Sequence, residues 1–454
     1  MSQTLIVGKP LNSDAITFDG DFMGATRVRG QDKKHEERLS ILREQYSAQI
    51  RRIKHLKDHG TKKELSEASN LLRAIKREFR SVKKAVGSFF PRATHAFYPR
   101  LLPLTLDEDG FVLSFDATAA LAGGSVGKRA LNFFREYGFV IFRDVLDSEQ
   151  IQQSASEIWD QLEKEYPTLK REVAETYSAL SSQTYGLASE PALFTEQMIR
   201  NRCNEFVVKA LRLLLDETDI LLSHDRWCFY RPTKSIESGG ISRDMPEWKT
   251  QGNLHLDLNP WTYLEGDSSQ QLQYDCLRDF SKEMNSVKAS TGPHVQGVLA
   301  ITENRDIDGG TVLVAGFHSV FSDWVQSLGP MNLYTNHSDT RVNRLVWRGH
   351  GAGSFKFSEL DPIHLLKQRV SLRAGSFLVW DQRIVHGSAS NDSSNVRMAQ
   401  FIKAFRRTSI SSEQFLSRSK AIRKHMEMAG TLKLDVLTED ALQVLGLTAK
   451  PNVM

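Results

Sequence analysis

Cysteine is scarce in this sequence, and several other features are missing. Only three of the 454 residues are cysteines, Cys203, Cys228 and Cys276, and they lie far apart in the chain. This excludes a small disulfide-stapled domain and favours a reducing compartment. No apolar run approaches the roughly 20 residues of a membrane-spanning helix. There is also no internal repeat and no low-complexity tract.

The two ends of the sequence do not resemble two common targeting signals. The first residues, MSQTLIVGKPLNSD, lack the basic and apolar regions of a secretory signal, and the last, KPNVM, are not a peroxisomal signal. We therefore expect a cytoplasmic protein with no membrane partner. A composition of 40% hydrophobic and 25% charged residues is typical of a globular chain, and the length allows a large core.

One short segment carries the clearest functional pattern. From Gln251 to Pro260 the sequence QGNLHLDLNP alternates polar and apolar residues, which predicts a β-strand with one polar face. His255 and Asp257 are two positions apart, so their side chains point to the same face of this strand. They are candidate metal ligands, although an H-x-D tripeptide also occurs by chance as a solvated or structural pair.

Two further residues extend this pattern. His386 follows the apolar run 376–380, and Arg397 lies eleven residues after it, in the apolar-rich segment VRMAQFIKAF. Two histidines and one carboxylate leave one face of an octahedral ion open, as in non-haem Fe(II) oxygenases. A guanidinium binds a carboxylate through two parallel hydrogen bonds, so Arg397 is a candidate receptor for an acid.

These residues together resemble the phytanoyl-CoA dioxygenase family of Fe(II)- and 2-oxoglutarate-dependent oxygenases. The resemblance covers roughly 127–407 and includes YGFVIFRDVLDSEQI at 137–151 and DGGTVLVAGFH at 308–318. It implies a double-stranded β-helix (a jelly roll, cupin-like) at the centre of the chain. The many short predicted strands favour the same class, a mainly β core with helical additions.

The resemblance also implies roles for individual residues. His255, Asp257 and His386 would be the catalytic metal ligands of Fe(II), with O2 as a cosubstrate. Arg397 would bind the distal carboxylate of the cosubstrate 2-oxoglutarate, and Ser388, two residues after the distal histidine, would share it.

The reaction and the substrate are less defined. Related halogenases have Gly or Ala in place of Asp257, so its presence favours hydroxylation, desaturation or oxidative cyclisation of a C–H bond, with release of succinate and CO2. We expect a small-molecule substrate, such as an amino-acid-like or specialised-metabolite carboxylate in biosynthesis. The alternatives are an oxygenase that acts on a protein or nucleic acid, and a non-catalytic jelly roll that binds a structural metal.

The predicted domains follow from this pattern. Residues 1–125 form an N-terminal arm, 126–408 the oxygenase domain and 409–454 a C-terminal helical extension. The segment between Asp257 and His386 is long for the family, so insertions are expected near 265–292 and 322–365. Predicted elements include helices at 148–165 and 195–216, and strands at 226–230, 297–303, 311–314 and 370–372.

Residues 31–90 are basic, with 16 Lys or Arg against 8 Asp or Glu. Apolar residues spaced by three and four predict two amphipathic helices. Gly60 ends the first, and Thr61 with Glu64 makes a capping box for the second, which gives an antiparallel helical hairpin. A basic hairpin is one form of nucleic-acid binder. Its aromatic residues lie on the apolar stripes, so we expect no nucleic-acid partner and instead packing on the barrel or a homodimer contact.

Other candidate residues have ordinary alternatives. Asn253 shares the ligand face of its strand, and Arg231 ends the segment RWCFYR, so both are candidates for substrate contact. Trp261 is a candidate pocket wall, although an aromatic at this place is often part of the core. Asp381 is a candidate acceptor for the imidazole of His386.

Overall fold

The computed structural model describes residues 59–87, 97–180, 193–258, 260, 272–273, 286–287, 295–328, 355–357 and 361–448, with gaps at 225, 251–252, 411 and 431–433, and scattered residues of 38–56. The chain divides into two compact units, Met1–Pro91 and Arg92–Met454. Among the described residues, no helix is both long and apolar enough to cross a membrane.

The first unit contains two antiparallel helical segments. The described residues of 38–59 are almost all helical, and helix α1 spans Lys62–Gly87. Arg38 Nε donates to Glu78 Oε1 at 2.8 Å, and Gln49 Nε2 donates to the Ala68 carbonyl at 3.0 Å. These pairs occur in opposite order along the two segments, so the segments run antiparallel.

The start of α1 has the expected capping geometry. The Thr61 amide donates to Glu64 Oε2 at 2.9 Å, and the Glu64 amide donates to Thr61 Oγ1 at 3.3 Å. The two bonds satisfy donors that an uncapped helix end leaves without partners. The capping box predicted from the sequence is therefore present.

The second unit combines helices with two main sheets. Its helices are α2 Ala117–Leu121, α3 Gly124–Tyr137, α4 Ser148–Glu165, α5 Glu196–Arg202, α6 Glu205–Leu215, α7 Phe317–Ser327, α8 Ser412–Ala429 and α9 Glu439–Leu445. Its strands are β1 Phe115–Asp116, β2 Phe139–Arg143, β3 Ile220–Leu222, β4 Trp227–Tyr230, β5 Ile236–Ser238, β6 Ile241–Arg243, β7 Asn253–Leu256, β8 Leu272–Gln273, β9 Ser286–Val287, β10 Val295–Ala300, β11 Gly310–Leu313, β12 Phe355–Lys356, β13 Gln368–Arg369, β14 Phe377–Asp381, β15 His386–Ala389 and β16 Arg397–Arg406.

Two helix predictions have different outcomes. The helix predicted at 148–165 is confirmed as α4, which begins after an Asp147 capping box. The prediction of a single helix at 195–216 is wrong, because the helix is interrupted between α5 and α6. The Asn204 side chain accepts hydrogen bonds from the amides of Phe206 and Val207 and so starts a new helix.

The strands form two main sheets and two short two-stranded ribbons. Within the described residues, the larger sheet has the order β1-β2-β14-β10-β16-β3, and β4 also pairs with the long strand β16. The smaller sheet has the order β12-β7-β15-β11-β13. The strand predicted at 370–372 is observed two residues earlier, as β13, with Leu372 in an isolated bridge to Asn304.

One hydrophobic core joins the two sheets. Leu254 and Leu256 of the smaller sheet belong to the same buried cluster as Val298 and Ile402 of the larger sheet. The apolar side of the alternating segment therefore faces the core, which leaves its polar side for other contacts. The result is the mainly β core with helical additions that the sequence predicts, although the described strands do not close into one barrel.

The two predicted insertions differ in how much is described. Most of 265–292 lies outside the described residues, and its two short strands, β8 and β9, pair with each other. The segment 322–365 begins inside α7 and contains β12, which pairs with β7 at the edge of the smaller sheet. Part of this segment therefore belongs to the sheet that carries the candidate ligands.

Candidate metal centre

Two histidines face each other across neighbouring strands of the smaller sheet. Strands β7 and β15 are antiparallel, and His255 lies directly opposite His386 in their register. Side chains of directly opposed residues project from the same face of a sheet. The two imidazole rings accordingly lie with their centroids 4.5 Å apart at an angle of 53°.

Asp257 completes this group from just outside the strand. The predicted strand continues to Pro260, but β7 ends at Leu256, so Asp257 lies in the bend that follows. Its Oδ1 is 3.3 Å from His255 Nε2, and its Oδ2 is 3.8 Å from His386 Nε2. One donor atom from each of the three residues lies within 4.8 Å of the others. The structure thus brings together the three residues that the sequence singled out.

The carboxylate of Asp257 is held by residues that sequence reasoning missed. Gln296 Nε2 donates to Oδ2 at 3.0 Å, and the ammonium of Lys403 lies 3.7 Å from the same oxygen. Gln382 Nε2 donates to the Asp257 carbonyl at 3.1 Å. One signal was available, because Gln296 is the only polar side chain of β10, all of whose residues are buried.

These contacts determine the charge state of the carboxylate. Burial by itself raises the pKa of Asp257. The attraction of Lys403 and a hydrogen bond with His255 outweigh burial and hold the pKa of Asp257 well below its ordinary value. The carboxylate is therefore ionised at neutral pH and available as an anionic donor.

The second nitrogen of His386 has a defined partner. Its Nδ1 lies 2.9 Å from the carbonyl oxygen of Ile384, and its ring lies 5.1 Å from that of Trp380. The prediction that Asp381 orients this imidazole is wrong. Asp381 instead pairs with Arg383, whose Nη2 is 2.7 Å from its Oδ2. A carbonyl on Nδ1 favours the tautomer that leaves Nε2 as the donor atom toward the centre.

A second polar cluster lies beside the histidines. Ser388 is two residues beyond His386 on β15, so its side chain projects to the same face. Arg397 is buried on β16, directly opposite Tyr230 of β4. Its guanidinium lies 4.8 Å from the Tyr230 ring centre, and its Nη1 donates to Cys228 Sγ at 3.2 Å.

Tyr230 links the two predicted cosubstrate residues. Burial raises the pKa of Tyr230 to about 12, although the side chains of Arg397 and Ser388 both act on its phenol to lower the pKa. The hydroxyl therefore keeps its proton at neutral pH. The predicted pair is thus a connected set of three, which the sequence alone did not show.

Gly310 makes room for the guanidinium. It begins β11 with φ at +107°, a conformation that favours glycine. A Cβ at this position would lie 2.2 Å from Asn304 Oδ1 and 2.9 Å from Arg397 Nε. The second glycine of the DGG sequence is therefore needed for the close approach of the backbone to Arg397.

The three candidate substrate residues have separate outcomes. Arg231 is buried, donates to the Tyr177 carbonyl at 3.1 Å and lies over the Trp248 ring at 4.7 Å, and burial lowers its pKa to about 10. The backbone of Asn253 pairs with that of Ser388 in the sheet, and its side chain is outside the described set. Trp261 lies outside the described residues.

The donor set fits a divalent transition metal. Two imidazoles and one ionised carboxylate suit Fe(II), whereas thiolates would favour softer ions. Among the described residues, no fourth His, Cys, Asp or Glu joins the three. Three protein donors of this kind leave positions open on an octahedral ion.

Comparison with known proteins gives one strong match in sequence. A Dictyostelium discoideum protein described as a phytanoyl-CoA dioxygenase is 33% identical over 326 residues, which is 69% of this chain and 86% of the relative. No protein-family model matches the chain.

Solved structures show weaker likeness. GIG2 of Candida albicans, a DUF1479 protein, has a TM-score of 0.49 at 13% identity and covers 95% of this chain and 91% of its own. HygX of Streptomyces hygroscopicus was solved with nickel and 2-oxoglutarate bound. Its TM-score is 0.34 at 14% identity, and the match covers 62% of this chain and 87% of HygX. On the sequence match over most of both chains, the protein belongs to the phytanoyl-CoA dioxygenase-like family of Fe(II)- and 2-oxoglutarate-dependent oxygenases.

Proposed function

We propose that this protein oxidises a C–H bond of a small carboxylate-bearing molecule, with Fe(II) held by His255, Asp257 and His386. The observation that carries the proposal is the grouping of these three donors within 4.8 Å, beside the polar cluster that contains Ser388 and the buried Arg397. When bound, the iron would supply the activation of O2 that oxidises 2-oxoglutarate and then the substrate.

The residues of the chain have distinct parts in this proposal. His255 and His386 would present their imidazoles from paired strands, and Asp257 would add the anionic donor. Arg397 would bind the distal carboxylate of 2-oxoglutarate with its planar fork, and Ser388 would donate a further hydrogen bond. Side chains two residues apart on a strand are about 7 Å apart, so Ser388 and His386 would contact opposite ends of a short dicarboxylic acid.

The substrate is proposed to be an acid because of the charge beside the ligands. Lys403 is largely buried, and its ammonium lies 3.7 Å from Asp257 Oδ2. A metal ion on Asp257 would repel this ammonium, so an anionic group of the substrate would lower the energy of the complete site. Hydroxylation, desaturation and oxidative cyclisation all use this arrangement, and the presence of Asp257 favours them over halogenation.

The proposal is tested by succinate release. Purified protein with Fe(II) and 2-oxoglutarate is screened against small amino acids and other carboxylates, and succinate is measured. We expect one substrate class to stimulate release above the background, and His255→Ala and His386→Ala to abolish it. His59→Ala is the control, because His59 is exposed in the first unit.

Three outcomes would contradict parts of the proposal. If the folded His255→Ala and His386→Ala variants kept wild-type iron content, the ligand assignment would be wrong. If the wild type bound iron but not 2-oxoglutarate, the alternative of a non-catalytic metal-binding protein would replace the oxygenase. If only a protein or an oligonucleotide stimulated succinate release, the substrate would be that macromolecule and not a small molecule.

A further inference from the structure

Gln296 and Trp380 form a relay of two hydrogen bonds that ends on Asp257. Trp380 Nε1 donates to Gln296 Oε1 at 3.1 Å, and Gln296 Nε2 donates to Asp257 Oδ2 at 3.0 Å. Both residues are buried in the larger sheet, with 3% of Trp380 and 2% of Gln296 exposed. Asp257 itself follows a strand of the smaller sheet, so the relay connects the two sheets.

The register of the larger sheet creates this relay. Gln296 of β10 lies directly opposite Trp380 on β14 and directly opposite Lys403 on β16. Directly opposed side chains on neighbouring strands project to the same face. The three residues therefore form one row across three strands, and that row faces Asp257.

The direction of the first bond is fixed by chemistry. An indole N–H can only donate, so the oxygen of the Gln296 amide must face Trp380. The amide nitrogen must then face Asp257, where a carboxylate can only accept. Without the indole donor, the amide could rotate by half a turn and place its oxygen against the carboxylate oxygen.

Asp257 needs such support more than the two histidines do. His255 and His386 lie within paired strands, which fix their backbone positions. Asp257 lies beyond the end of β7, outside the strand pairing of the described residues. Gln382 holds its carbonyl at 3.1 Å, and Gln296 holds one of its carboxylate oxygens. The other oxygen, Oδ1, lies on the side of His255.

We propose that Gln296, oriented by Trp380, is a positioning residue that fixes the Asp257 carboxylate for monodentate binding of the metal through Oδ1. The inference rests on the proposed function, because it assumes that Asp257 is a metal ligand. Partners that orient metal ligands typically change metal affinity by 10- to 100-fold when they are removed. The indole N–H of Trp380 acts only through Gln296, so the effects of removing this N–H and of removing Gln296 on affinity are not additive.

The test measures the affinity for Mn(II), an oxygen-stable substitute for Fe(II), by calorimetry on the full-length protein. Gln296→Leu should weaken binding by about 10- to 100-fold. Trp380→Phe keeps the ring beside His386 but removes the N–H, and should weaken binding several-fold. The double variant should bind no more weakly than Gln296→Leu alone. Visible absorption of the Co(II)-loaded protein should change in both single variants, because it reports the geometry of the ligands.

The control is Trp227→Phe. Trp227 is also buried in the larger sheet, but its indole nitrogen has no hydrogen-bond partner among the described residues. This variant should keep the wild-type Mn(II) affinity and Co(II) spectrum. Thermal unfolding of each metal-free variant identifies any that fails to fold, and Trp380→Phe keeps the test decisive if Gln296→Leu is one of these.

The outcomes separate this inference from the proposed function. If folded Gln296→Leu and Trp380→Phe bind Mn(II) as the wild type does, with unchanged Co(II) spectra, the positioning role is wrong while the metal centre stands. If the two effects add fully in the double variant, the relay is also wrong. If the wild type binds no divalent metal, or His386→Ala binds as well as wild type, the proposed function itself fails.

Discussion

Arg397 lies with its guanidinium carbon 4.8 Å above the ring of Tyr230, its direct partner on the neighbouring strand. The pair is buried, and Ser388, on the strand that carries His386, also acts on the phenol of Tyr230. The Tyr230 ring and the hydrogen bond to Cys228 Sγ hold the guanidinium in one orientation. An arginine that is pre-oriented in this way loses little freedom when it binds a carboxylate.

The first prediction concerns Arg397. Arg397→Ala should weaken 2-oxoglutarate binding by roughly ten- to a hundredfold or more, because a charge-assisted hydrogen bond contributes about 1.5 to 3 kcal/mol. Metal binding should remain. Arg397→Lys should recover only part, since an ammonium lacks the planar fork. Calorimetry with 2-oxoglutarate on Mn(II)-loaded protein measures this, and Arg406→Lys at the other end of the same strand is the control. Unchanged affinity in Arg397→Ala would remove this residue from the cosubstrate site.

The second prediction concerns Gly310. Gly310→Ala should reduce both stability and 2-oxoglutarate affinity, because its Cβ would collide with Asn304 and with Arg397 Nε. The positive φ alone costs an alanine about 1 kcal/mol. Gly239→Ala is a matched control, because Gly239 also has a positive φ, of +57°, but its Cβ would meet nothing within 4 Å. It should lose stability without losing affinity. Equal 2-oxoglutarate affinities for the two variants would show that Gly310 does not make room for Arg397.

The third prediction concerns pH and Asp257. Its pKa is depressed in the folded protein, so its ionisation stabilises the fold above its ordinary value near 3.8. This contribution is lost as the pH falls through the lower, folded-state pKa. In metal-free protein, the free energy of unfolding of Asp257→Asn should therefore fall less steeply below about pH 4 than that of the wild type. Denaturant unfolding between pH 2.5 and 6 measures both curves, and parallel curves would contradict the prediction.

The fourth prediction concerns the basic hairpin of residues 31–90. We expect it to serve structure or assembly and not nucleic-acid binding. Binding to phosphates releases counterions and therefore weakens steeply as salt rises. Duplex and single-stranded oligonucleotides should show no tight binding at physiological salt. Tight, salt-sensitive binding that disappears when the hairpin is deleted would overturn this expectation. Sedimentation of the same deletion variant tests whether the hairpin supports a homodimer.

The sequence by itself determined the residues whose relationship is local. His255 and Asp257 could be paired from two-residue spacing, because alternation along a strand fixes which side chains share a face. The capping box of Thr61 and Glu64 follows from a spacing of three for the same kind of reason. His386 and Arg397 were candidates from the apolar runs beside them and from their side-chain chemistry, but only the resemblance to a family linked them to His255, since their distance from it along the chain carries no geometric information.

The tertiary structure decided the contacts that depend on strand register and on how the two sheets meet. Gln296 and Lys403 could not be assigned to Asp257 from the sequence, because nothing local states that β10 lies between β14 and β16. The same applies to Tyr230, which reaches Arg397 only because β4 pairs with the start of β16. The exact end of β7 and the break after α5 also escaped sequence reasoning, because hydrogen bonds from neighbouring segments decide where an element stops. Periodicity therefore names the candidate ligands, whereas long-range pairing determines the residues that hold them in place.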